Sequence, residues 1–213
     1  DLAFSIWTSK IRYLGVGAML VGGIWALVSM RGSLISGIMS GLTPQNVRAD
    51  TIYNHAQHDA PMKLVLWGIA LLIIPIFFLY QVIVGMLGVA LAMTFIMMIT
   101  GFLFSSVAAY MAGLVGSSNN PISGITIATI LFTSFLLVWL MGGDAEVGPA
   151  AAIMVGAVVC CAAAIAGDNM QDLKAGYLVG ATPWRQQLMQ GVGVVSAVLV
   201  IAPILNLLLE AYG

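Results

Sequence analysis

Between two strongly apolar runs the chain carries AGLVGSSNNPISGIT, residues 112–126, a polar stretch without a single charge. Backbone in hydrocarbon must satisfy its own N–H and C=O groups, so unwound segments at membrane depth survive only inside protein or along a watery cavity. Pro121 lacks an N–H donor, and the residue before it, Asn120, is steered out of the α region. A helix ending near Gly116 therefore cannot continue straight through. The pattern predicts a helix end, a few residues of free backbone, and a new helix from about Pro121 whose amides point back at the gap. Such a gap suits a small polar or anionic group. A tight turn between two spans has the same spacing, and both readings stand at this point.

The lipid setting follows from composition. Of 213 residues, 61% are hydrophobic and 7% charged, too few charges to cover a soluble domain. The net charge of −1 argues against a nucleic-acid partner. Cys160 and Cys161 are adjacent in an apolar run and read as small core residues. The chain opens at Asp1 and stops at Gly213 directly after an apolar run, so it reads as a fragment of a longer membrane protein.

A spanning helix takes about 20 apolar residues. Runs at 13–30, 62–80, 82–113, 122–141, 147–167 and 187–209 predict about six spans in an all-α polytopic bundle. Pro75 is expected to kink the second. The third, at about 1.5 Å per residue, would exceed the hydrocarbon thickness and must tilt or bend. Residues 32–42 are apolar but interrupted, with Ser33, Gly37 and Gly41 on one helical face, and predict a short broken or re-entrant helix. Two interrupted segments, 32–42 and 113–124, form the pattern that marks a binding site in transporters built from paired halves. Arg48, Lys63, Lys174 and Arg185 outnumber Lys10 and Arg12, which places the former set on the cytoplasmic side.

Residues 43–61 form a polar loop in which His55 and His58 lie three apart beside Asp59. That is a metal-ligand spacing, although histidines in a solvated loop more often serve as polar surface. A second polar cluster, GDNMQDLKAGYLVGATPWRQQ, occupies residues 167–187. Asp168 and Asp172 share a helical face, with Lys174 close by. These groups read either as interfacial anchors or as a proton relay, since carboxylates beside a membrane cavity have tunable proton affinity. Gly176 and Gly180 form a GxxxG packing face, and Thr182-Pro183 reads as a helix cap and first position. A membrane prenyl-transferring enzyme would need a second carboxylate cluster, and no other acids form one. No nucleophile elbow, HExxH or P-loop is present either.

The two clusters, in this order and one hairpin apart, resemble the oligopeptide transporter (OPT) family, whose bacterial branch is related to yellow-stripe-like metal-chelate carriers. The resemblance extends over essentially the whole chain. It is carried by Gly113, Gly116, Ser117, Ser118, Asn119, Asn120, Pro121, Ser123 and Gly124, then by Gly167, Asp168, Gln171, Asp172, Lys174, Gly176 and Pro183. It implies an integral membrane, proton-coupled importer of small peptides or of metal held by peptide-like chelators. The inner membrane of a bacterium is the expected location. On that reading Ser117, Ser118, Asn119, Asn120, Pro121, Ser123 and Gly124 offer uncharged groups to substrate. Asp168, Asp172 and Lys174 would supply the charge for coupling or gating. The expected partners are lipid, substrate, protons, the rest of the longer chain and a second copy in a homo-oligomer; no cofactor is expected. An uncoupled, channel-like or structural membrane protein is the alternative.

Overall fold

The computed structural model describes residues 2–29, 31–32, 35, 59–142 and 147–212. Among these the regular structure is helical, with no strand. A short helix α1 (Leu2–Ile6) and a π-helical turn (Trp7–Ile11) lead into α2 (Arg12–Ser29). Then follow α3 (Met62–Val84), α4 (Leu87–Val115), a 3-10 turn (Ser117–Asn119), α5 (Ile122–Met141), α6 (Gly148–Val179) and α7 (Pro183–Tyr212). The chain is thus an all-α polytopic membrane protein. Five of the described helices, α3 to α7, are long and apolar enough to cross a bilayer. They correspond to the second through sixth expected spans. The first expected span overlaps α2, an 18-residue helix outside those five. Most of the 32–42 segment and most of the 43–61 loop, His55 and His58 included, lie outside the described residues.

The boundary between the second and third spans falls later than the sequence pattern predicts. The expected division at Tyr80–Val82 lies inside α3, which runs on to Val84. The reason is Gly85, whose φ of 71° ends the helix there, with its N–H still bonded to the Gln81 carbonyl at 2.9 Å. The helix continues on both sides of Pro75.

The described residues divide into two compact units; Asp59–Pro61 go with the second, and within α6 the chain passes from the first to the second between Gln171 and Asp172. The first contains α1 to α5 and α6 up to Gln171. Here α2 packs on α5, α3 on α4 and α4 on α5. Its core holds Tyr80, Met93, Phe104, Ile125 and Leu137, closed by Ala152, Val155, Val159 and Ala163 of α6. Small residues on α6 allow close approach: a Cβ at Gly156 would run into the Ile130 side chain of α5. Two of the threonines buried in this unit bond back to their own helix. Thr94 donates to the Ala90 carbonyl at 2.8 Å and Thr129 to that of Ile125 at 2.9 Å.

The second unit contains the end of α6 and all of α7. Of the expected GxxxG packing face, Gly176 packs against the next helix and Gly180 does not. Gly180 instead terminates α6 with φ 78°, its N–H bonded to the Tyr177 carbonyl at 3.2 Å while Ala181 N–H reaches Gly176 at 2.8 Å. These two bonds are a Schellman motif, which favours a glycine because an L side chain resists positive φ. Gly176 has a different role, since the Gln186 amide of α7 packs directly on its Cα. Pro183 takes the first position of α7, where its missing N–H does no harm. None of the residues of α7 is buried.

Candidate functional site

The break after α4 is built by glycine and proline acting on either side of it. Gly116, with φ 85° and ψ 156°, closes α4 by donating to the Ala112 carbonyl at 2.9 Å. One turn of 3-10 helix follows, held by Asn119 N–H to Gly116 and Asn120 N–H to Ser117, both at 3.3 Å. Asn120 is extended (φ −69°, ψ 133°), the conformation that a following proline imposes. Pro121 (φ −76°, ψ 48°) is the centre of an inverse γ-turn, closed by Ile122 N–H donating to the Asn120 carbonyl at 2.8 Å. From there α5 begins, with Pro121 as a cap that offers no side-chain hydrogen bond.

The two asparagines fold back onto the helix just left. Asn119 Nδ2 donates to the Val115 carbonyl and Asn120 Nδ2 to that of Ala108, each at 3.2 Å. Asn120 Oδ1 is buried and finds no partner among the described residues. Leaving a buried acceptor unpaired costs about 1–3 kcal/mol. Of the other predicted residues, Ser118 and Ser123 are exposed, Ser117 and Pro121 are half-buried, and Gly124 is buried.

Helix α6 touches the break at two points one turn apart. A Cβ at Gly167 would lie 2.6 Å from Asn120 Nδ2, so that amide rests against α6 backbone. Gln171 Oε1 accepts from Ser117 N–H at 3.2 Å. The two polar clusters of the sequence therefore meet within the first unit, through Gly167 and Gln171 rather than through a carboxylate. Asp168, also in this unit, is exposed on α6.

Asp172 and Lys174 belong to the second unit and are exposed. Asp172 Oδ2 accepts from Gln190 Nε2 of α7 at 3.0 Å. Lys174 Nζ sits 5.6 Å from the centre of the Tyr177 ring, a cation–π distance. Gln171, Gln186 and Gln190 were not among the site residues expected from sequence. The signal for the last two was present, since they are four apart in the polar first turns of a helix that is mostly apolar beyond them. No group of three or more His, Cys, Asp or Glu able to hold a metal occurs among the described residues. His55 and His58 lie outside them.

The described residues thus define a polytopic helical membrane protein with a polar helix break facing a small-residue helix. Comparison with known families gives its family. The model of the family described as "OPT oligopeptide transporter protein" matches residues 1–213, and the chain belongs to that family. A Haemophilus influenzae protein bearing the name "Putative oligopeptide transporter" is 33% identical over 229 aligned positions. That alignment takes in 100% of this chain and 36% of the relative, so the chain spans about a third of the relative's length. No solved structure matches.

Proposed function

We propose that this chain is part of a proton-coupled secondary transporter that imports small oligopeptides, or metal held by peptide-like chelators, across a bacterial inner membrane. Membership of the OPT family supports the transporter class. The observation that carries the site is the break at Ser117–Gly124, with the buried, unpaired Asn120 Oδ1 inside it. Ser117, Ser118, Asn119, Asn120, Pro121, Ser123 and Gly124 would present uncharged donors and acceptors to a peptide backbone. Transport then proceeds by alternating access, with packed helices rocking around the break.

Asp168 and Asp172 would take up and release the coupling proton, and Lys174 would modulate the local charge. The hydrogen bond from Gln190 gives Asp172 a fixed orientation for that role. The test is uptake by the full-length parent protein in proteoliposomes. With an imposed inward proton gradient, labelled trialanine is expected to accumulate above its outside concentration, and a protonophore is expected to abolish the accumulation. Equilibration that ignores the gradient would instead favour an uncoupled channel. Running an iron chelate in parallel separates the two substrate classes.

A further inference from the structure

Gly167 sits in the interior of the 32-residue helix α6, where alanine would be the better helix former. Its surroundings supply the reason for glycine. The nearest atoms to a Cβ built there are Asn120 Nδ2 at 2.6 Å and Ala112 Cβ at 3.6 Å. That same amide nitrogen donates to the Ala108 carbonyl at 3.2 Å, and the amide oxygen on its other side is the buried atom without a partner. Gln171, four residues on and so on the same face of α6, accepts from the Ser117 amide. The amide of Asn120 is thus wedged between a carbonyl of α4 and the bare backbone of α6.

We infer that Gly167 is a positioning residue for Asn120: its missing side chain lets the amide turn its nitrogen to Ala108 and hold its oxygen as a lone acceptor for an N–H donor of the substrate. The inference rests on the proposed reading of the break as the substrate site, and it names the substrate group concerned, a peptide N–H or an ammonium. A side chain at position 167 pushes the amide away without touching the substrate itself.

The experiment measures binding of labelled trialanine to the full-length parent protein in nanodiscs, beside an analogue with methylated amide nitrogens. Wild type, Gly167→Ala, Asn120→Ala and the double variant are compared. Gly167→Ala is expected to raise Kd for trialanine about two- to tenfold, the range of one hydrogen bond, and to shrink the preference over the methylated analogue. In the Asn120→Ala background the same change is expected to have no further effect, because the group it acts through is gone. Effects that multiply in the double variant, or an unchanged Kd and preference in Gly167→Ala, overturn the inference. Should Gly167→Ala fail to fold, recovery of folding in the double variant supports it and continued failure overturns it. Wild type that binds neither peptide overturns the reading of the break as a peptide site, and this inference with it.

Discussion

Replacing Asp172 by Asn in the full-length protein is expected to leave a folded transporter in the membrane that no longer concentrates substrate against its gradient. The two side chains have nearly the same shape, and an Asn oxygen can still accept from Gln190 Nε2, which reaches Asp172 Oδ2 at 3.0 Å. What disappears is the ability to gain and lose a proton. Proton-driven uptake of trialanine in proteoliposomes should therefore fall by about tenfold or more, the equivalent of about 1.4 kcal/mol of lost coupling. Exchange of labelled for unlabelled peptide, which needs no net proton movement, should survive. Full accumulation by the variant would remove Asp172 from the coupling role and leave it as an anchor near the end of α6.

Asn120→Leu carries the second large effect. It removes the donor to the Ala108 carbonyl and the lone acceptor Oδ1, and puts a branched apolar group against Gly167. One hydrogen bond is worth about 0.5–1.5 kcal/mol net, so loss of the substrate bond alone weakens binding about two- to tenfold, and displacement of the break adds to that. Equilibrium binding of trialanine to purified protein reads the result. If the break is only a connection between α4 and α5, affinity stays put and only the yield of folded protein falls.

The part of this architecture legible in the sequence is the part written in local chemistry. Gly116 and Pro121 bracket the break wherever the rest of the chain goes, because each restricts its own backbone. Pro183 at the start of α7 was readable for the same reason. The end of α3 is not legible in the sequence because an apolar run continues past Tyr80 and Gln81, and the stop at Gly85 depends on one positive φ. Gly180 fits a GxxxG spacing as well as it fits a helix terminus, and spacing does not distinguish them. The partners of the polar side chains were out of reach altogether. Ser117 meets Gln171 across 54 residues and Asp172 meets Gln190 across 18, distances at which no periodicity connects one side chain to another. Nothing in the spacing around Gly167 shows that Asn120 packs against it.

Substrate in the break between α4 and α5 is expected to shield the residues that line it. The most direct test places one cysteine at the exposed Ser118, in full-length protein whose own cysteines, Cys160 and Cys161 among them, are replaced. The rate of labelling by a membrane-impermeant maleimide is then followed with and without saturating trialanine. Peptide is expected to slow labelling of Ser118→Cys, and the Asn120→Leu change is expected to remove this protection. An unchanged rate in a protein that still transports the peptide would contradict occupancy of the break, and would place the substrate elsewhere in the transporter.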